Sequence, residues 1–102
     1  MRKNISRISH EGSHYSFSRN GHRFIVAYSW KNRYSNDTIS EKRHFTDPQE
    51  ALTSYKITMS VRKKMALEKG LVDVADLFQN EYDKSEKYIV NLSTHAAKET
   101  QG

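Results

Sequence analysis

Residues 19–30 of this 102-residue chain read RNGHRFIVAYSW and carry its clearest structural signal. The dipeptide Asn20-Gly21 stands between two runs of alternating residues and predicts a β-hairpin, because Asn and Gly both tolerate the positive φ of a type I′ turn. After the turn, the even-numbered residues of 24–30 are apolar, and side chains two apart share one face of a strand. We therefore assign this face to the core and the odd-numbered residues of 23–31 to an exposed face.

Two further stretches have the pattern of strands. Residues 14–18 alternate polar and aromatic side chains, and residues 38–45 read TISEKRHF, a weaker strand pattern. Together with residues 23–30 they predict a three-stranded antiparallel sheet. Residues 1–12 are polar and basic, and we expect them to form a flexible arm ahead of this sheet.

The pattern then changes to one that predicts two helices. Asp47 can cap the first helix, Pro48 suits its first position and Gly70 offers a stop, so we expect a helix from residue 48 to about residue 69. Apolar residues then recur at spacings of three, four and seven, which predicts a second helix over residues 73–97. The predicted fold class is α+β: a three-stranded antiparallel sheet packed on one helix, followed by a second C-terminal helix.

The charge of the chain is unevenly divided. Residues 1–64 hold 13 Lys and Arg and 5 Asp and Glu, or 13 − 5 = +8, whereas residues 65–102 hold 4 and 7, or 4 − 7 = −3. Such asymmetry favours contact of the first half with a polyanion, and the alternative is an ordinary solvated surface. The length suits one domain with a modest core.

Several chemistries find no support in the sequence. The chain has no cysteine, which excludes disulfides, thiolate metal ligands and a cysteine nucleophile. Its five histidines form no HExxH motif, and its four glycines form no phosphate-binding loop. We therefore expect a non-catalytic protein without cofactor or metal. We also expect a soluble, cytoplasmic protein with no membrane contact, because the sequence shows neither a signal peptide nor an apolar run of about 20 residues.

Residues 15–55 resemble the AP2-type DNA-binding domain and the related arm-binding domains of phage and transposon integrases. The resemblance lies in the hairpin at residues 19–23, the strand at 24–28, and residues 42–55, KRHFTDPQEALTSY. In that last stretch a strand ends in an aromatic residue, a helix start follows, and another aromatic residue comes later in the helix. The resemblance implies a non-catalytic, phage or mobile-element DNA-binding protein, associated with the nucleoid, whose exposed sheet face lies in the major groove of double-stranded DNA.

The chain then divides into a basic arm (1–12), a β-β-β-α DNA-binding domain (13–70) and a C-terminal helix for packing or dimerisation (71–102). On the exposed face, the resemblance points to Ser16, Ser18, Arg23, Ile25, Ala27, Lys42 and His44. Basic loops and the arm would contact phosphates through Arg19, Lys31, Arg33, Arg2, Lys3 and Arg7. The cluster at Arg62, Lys63 and Lys64 has two interpretations, a further phosphate contact or a solvated helix end.

Two alternatives to duplex DNA stay open from the sequence. Phe78, Tyr82 and Ile89 of the second helix would form a partner interface if they were exposed. That interface would serve a homodimer, or a small interaction protein that inhibits or redirects a host enzyme. RNA binding through the same sheet is less favoured, because RNA-binding sheets commonly expose aromatic residues and the aromatic face here is assigned to the core.

Overall fold

The computed structural model describes residues 2–32 and 34–101, with side chains as far as residue 92. Its elements are β1 (Arg2–His10), β2 (Ser13–Asn20), β3 (Arg23–Lys31), β4 (Thr38–Phe45), α1 (Pro48–Glu68) and α2 (Val72–Gln101). The strands form one antiparallel sheet in the order β1-β2-β3-β4. The α+β class is confirmed, and the predicted number of strands is corrected from three to four.

The additional strand is the stretch that we expected to be a flexible arm. Arg2–His10 pairs with β2, and its residues Ile5 and Ile8 are buried. Two residues three apart point to opposite faces of a regular strand. A β-bulge between Asn4 and Ser6 resolves this conflict, since it inserts one residue and lets both isoleucines reach the core.

Two tight turns join the first three strands. Glu11 and Gly12 both have positive φ, 48° and 79°, as a type I′ turn between β1 and β2 requires. Between β2 and β3, Asn20 pairs with Arg23, so the two central residues are Gly21 and His22. Gly21 has a φ of 63°, and glycine at the first central position is typical of a type II′ turn. The predicted hairpin is therefore present with its turn shifted by one residue.

The helix boundaries follow from local chemistry. The Asp47 side chain accepts a hydrogen bond of 2.9 Å from the backbone N–H of Gln49, which caps α1 as predicted. At the other end, Gly70 has a φ of 74°, and the N–H groups of Gly70 and Leu71 donate to the carbonyls of Leu67 and Ala66. This is a Schellman motif, which ends α1 and turns the chain back into α2. Among the described residues, neither helix is apolar enough over a sufficient length to cross a membrane.

Both helices pack on the same face of the sheet. α1 contacts β3 and β4, α2 contacts β1, and the two helices pack along each other. In α2 the residues that face inward alternate spacings of four and three, the pattern of a helix–helix contact. These residues are Ala75, Phe78, Tyr82, Ser85, Ile89 and Leu92. Ser85, which interrupts the apolar stripe in the sequence, is fully buried and donates to the carbonyl of Glu81 at 3.1 Å.

A polar junction joins β1 to both helices. The Ser6 hydroxyl lies 2.7 Å from the Tyr55 hydroxyl of α1 and 2.8 Å from a carboxylate oxygen of Glu81 in α2. An ionised carboxylate only accepts, so Ser6 donates to Glu81 and accepts from Tyr55. The bulge sets this contact, because the extra residue turns Ser6 towards the helices.

The integration of β1 is testable with matched isoleucine variants. Ile8→Ala should lower the free energy of unfolding by about 2–4 kcal/mol, because it leaves a cavity in the core. Ile57→Ala, at a side chain that is 61% exposed, should change it by no more than about 0.5 kcal/mol. Urea denaturation measures both, and an equal, small effect of the two variants would contradict a structural β1.

The junction predicts a pH dependence. Burial raises the pKa of Tyr55 to about 12, whereas a tyrosine in the unfolded chain ionises near pH 10. Tyr55 therefore stabilises the folded state fully below pH 10, and this contribution is lost as the pH rises towards 12. Tyr55→Phe should cost about 1 kcal/mol at pH 7, through the lost bond to Ser6. Urea denaturation of the parent and of Tyr55→Phe across pH 8–12 measures the difference between their free energies of unfolding, which should become smaller above pH 10. A difference that stays constant with pH would be evidence against the buried junction.

Candidate nucleic-acid interface

The face of the sheet that the helices leave uncovered is defined here as the open face. One cross-strand row on it runs, from β1 to β4, through Arg7, Ser16, Ala27 and Lys42. A second row runs through Asn4, Ser18, Ile25 and His44. The register thus brings side chains from all four strands onto one surface.

Cationic side chains surround the open face. Five are exposed on it, two from β1, two from β3 and one from β4: Arg2, Arg7, Arg23, Lys31 and Lys42. His14 and His44 are exposed on the same face. A depression of about 490 Å³ lies on this face, with Arg2 and Arg7 on one side and Lys42 on the other.

The middle of the open face has short side chains. Ser16, Ser18, Ala27 and Ser29 occupy β2 and β3 between the outer strands. Ser18 is fully buried and accepts a hydrogen bond of 3.3 Å from the Arg2 guanidinium, which orients one cation along the rim. Ile25 is 8% exposed, so it contributes little accessible apolar surface. The result is a basic frame around a floor of small side chains.

Among the residues that the structure describes, none of the carboxylates of the first half points from the open face. Glu11 lies in the β1–β2 turn, Asp37 in the β3–β4 loop and Asp47 at the α1 cap. Glu41 is on β4 but pairs in register with Tyr28, on the helix-covered side, although it borders the depression. Hydrogen bonds from Tyr28 and then from Arg43 hold the pKa of Glu41 below its usual range, so this charge is already partnered.

The structure divides the predicted nucleic-acid-binding residues between two sides of the sheet. Arg23, Lys31, Lys42 and His44 lie together on the open face. Arg33 lies outside the described residues. Arg19 and the cluster of residues 62–64 lie on the helix-covered side, so they do not join the open face.

Arg19 has a structural environment. Its guanidinium donates to the carbonyl of Gly21 at 2.7 Å and to the hydroxyl of Tyr88 in α2 at 3.2 Å. It also lies 5.7 Å from the centre of the Phe24 ring. Arg19 thus links the β2–β3 turn to α2, and it is part of a strand rather than of the loop in which we placed it.

The basic cluster of α1 is similarly placed. Arg62 is half-buried over the rings of Tyr15 and Trp30, and Lys63 donates to the side chain of Gln79 in α2 at 2.9 Å. Of the three, Lys64 is exposed, whereas Arg62 and Lys63 are half-buried. Two members of this cluster therefore belong to the packing of the helices on the sheet.

The predicted partner interface is not exposed. Phe78 is 3% exposed, Ile89 is fully buried and Tyr82 is half-buried against the core. The exposure on which that interface was conditional is absent from this fold, because α2 packs back on α1 and β1 and covers the three side chains.

The sequence prediction missed the part of the open face that β1 supplies, including Arg2 and Arg7 as sheet residues. The signal that could have found it is Glu11-Gly12, a turn dipeptide directly ahead of the alternating residues of β2. No three His, Asp or Glu residues in the described part of the chain lie close enough to hold a metal ion.

Comparisons of the chain with protein-family models, with curated proteins and with solved structures find no match.

The two arginines at the β2–β3 turn give a matched test of the two faces. Arg19→Ala should lower the free energy of unfolding by about 1 kcal/mol, since it removes hydrogen bonds that link the turn to α2. Arg23→Ala, an exposed residue of the open face, should leave it within about 0.5 kcal/mol of the parent. Urea denaturation measures the free energy of unfolding of both variants. A larger loss for Arg23→Ala than for Arg19→Ala would contradict the assignment of the two faces.

Proposed function

We propose that this protein is a non-catalytic DNA-binding module and that its open face binds the backbone of duplex DNA. The observation that carries the proposal is the basic frame, with cations from β1, β3 and β4. Among the described residues, the carboxylate that borders its depression is Glu41, which is paired with Arg43. Neutralisation of phosphates by Lys and Arg dominates DNA affinity, and unopposed positive charge on one surface provides it.

The size of the open face suits a duplex. Neighbouring strands lie about 4.8 Å apart, so β1 and β4 are separated by roughly 14 Å, close to the ~12 Å width of the major groove. Arg7 and Lys42, at opposite ends of one row, would then reach the phosphates on the two sides of the groove. The short side chains between them allow the sheet to approach the base edges.

The distribution of aromatic residues favours a duplex over a single strand. Proteins that bind single strands stack bases on exposed aromatic side chains. The Phe, Tyr and Trp residues of the four strands lie on the helix-covered side, and several are fully buried in the core. The open face therefore offers phosphate contacts without a stacking platform.

The resemblance to AP2-type domains supports the same proposal through its element order. β2, β3, β4 and α1 follow the β-β-β-α layout on which the resemblance depends, while β1 and α2 are additional. β1 extends the open face with Arg2 and Arg7. An origin in a phage or a mobile element is proposed on this resemblance alone.

The proposal is tested by two double variants with the same change in net charge. Arg7→Glu with Lys42→Glu reverses two charges on the open face, whereas Lys64→Glu with Lys87→Glu reverses two exposed charges on the helices. Fluorescence anisotropy with a duplex of 25 base pairs should show an affinity at least about tenfold lower for the first variant. The second should stay within about threefold of the parent.

Salt dependence gives a second readout of the same experiment. Five phosphate contacts would give a slope of log K against log salt of about −4.5, and the open-face variant should reduce it by about 2. Equal losses for the two double variants would mean that binding follows net charge rather than the open face. Tighter binding of a single strand than of the duplex would contradict the groove geometry.

A further inference from the structure

A second concave site lies on the helix-covered side of the molecule. A cavity of about 580 Å³ opens between the β1–β2 turn, the end of β3 and the turn that joins α1 to α2. This volume falls in the range of small-molecule sites, and the wall of the cavity is part polar and part apolar. Its apolar part is formed by Trp30, Met65, Leu71, Val74 and Phe78.

Arg62 stands in this cavity at a position where the helix pattern calls for an apolar residue. The inward residues of α1 follow spacings of three and four through Leu52, Tyr55, Met59, Arg62 and Ala66. The guanidinium of Arg62 lies 5.4 Å from the centre of the Tyr15 ring and 5.8 Å from that of Trp30. It forms no ion pair with any carboxylate in the described part of the chain; its polar contact is the Met65 sulfur at 3.7 Å.

Tyr15 supplies an independent observation. Its side chain lines the same cavity and is 2% exposed, yet its hydroxyl has no hydrogen-bond partner among the described residues. A buried hydroxyl without a partner destabilises the fold, and such groups are rare in folded proteins. The unpaired guanidinium of Arg62 lies over the ring of Tyr15, whose hydroxyl lacks an acceptor, and an anionic acceptor that entered the cavity would complete this arrangement.

We propose that this cavity binds a small molecule that carries an anionic group on a planar, apolar body. The anionic group would accept hydrogen bonds from Arg62 and Tyr15, and the planar body would lie against Trp30 and the exposed side chains of Met65 and Leu71. Lys69 lies at the cavity and Glu11 is the acidic residue of its lining, so the charge of the site favours an anion. Lys31, at the end of β3, belongs both to the lining of this cavity and to the open face, whereas the other residues of the two sites lie on opposite sides of the sheet.

The chain contains its own reporter for this site. Trp30 is the only tryptophan, so a ¹⁵N-labelled sample gives a single indole N–H resonance that needs no assignment. Titration with 2-naphthoate should shift this resonance in a saturable manner. The neutral analogue 2-naphthalenemethanol should bind about tenfold more weakly, since a charge-assisted hydrogen bond is worth roughly 1.5–3 kcal/mol.

Variants separate the anion contact from general apolar binding. Arg62→Leu should lower the affinity for 2-naphthoate by about tenfold and leave the affinity for 2-naphthalenemethanol unchanged. If the Trp30 resonance shows that the leucine variant is unfolded, Arg62→Gln is measured in its place. Lys64→Leu, an exposed cation two residues along α1, should bind 2-naphthoate like the parent. Tyr15→Phe should weaken 2-naphthoate without lowering the melting temperature, because the hydroxyl that it removes has no partner in the fold.

Three results would overturn the proposal: no saturable shift up to about 10 mM, equal affinity for acid and alcohol, or unchanged binding by the Arg62 variants. This site and the DNA-binding open face can be tested independently of each other. The open-face variant with Arg7→Glu and Lys42→Glu should retain 2-naphthoate binding, and Arg62→Leu should retain the salt slope for duplex DNA.

Discussion

Both helices pack on the same face of the sheet, because each buries one stripe of inward side chains and the sheet has one apolar face, although α1 also exposes Ile57, Val61 and Leu67. The large side chains of β2 and β3, such as Phe17 and Val26, alternate onto that face and are almost fully buried there. With α1 and α2 side by side on it, none of the elements that the structure describes covers the opposite face. The open face is therefore polar and accessible as a consequence of packing, and its basic character comes from the residues that alternate with the core.

β1 completes the four-stranded sheet by pairing with β2 and packing against α2. The strand contributes only two isoleucines to the core, and the bulge allows both to be used. The contact of Ser6 with Tyr55 and Glu81 adds a directional link to each helix. Since β1 also carries Arg2 and Arg7, the same packing that completes the sheet places two more cations on the open face.

The elements that were predictable from the sequence are those with local signals. The hairpin, the strand at residues 38–45 and the capped start of α1 each depend on nearby residues, and the structure has all of them. β1 was missed because its bulge interrupts the alternation of apolar and polar residues by which a strand is recognised in a sequence. Ser85 weakened the stripe of α2 for a related reason, since a small polar residue fits a close helix contact that only the packed structure reveals.

In the candidate site, too, some positions were predictable from local sequence and others depend on long-range contacts. Alternation along β3 was enough to place Arg23 on the exposed face, and the pairing of β4 adds Lys42 to it. The positions of Arg19 and Arg62 depend on contacts with Tyr88 and Trp30, residues far away in the chain. Charge alone does not distinguish a cation that is free for a ligand from one that is stacked in the fold, so the sequence left both interpretations of the 62–64 cluster open.

The most direct test of the central claim uses the arginine side chains as reporters of both faces. Titration of ¹⁵N-labelled protein with a short duplex DNA, followed through the arginine Nε–H resonances, compares Arg2, Arg7 and Arg23 on the open face with Arg19, Arg43 and Arg62 on the helix-covered side. If DNA binds through the open face, the Nε–H resonances of the first set shift and those of the second set do not. Shifts confined to the second set, or spread equally over both, would contradict binding of DNA through the open face.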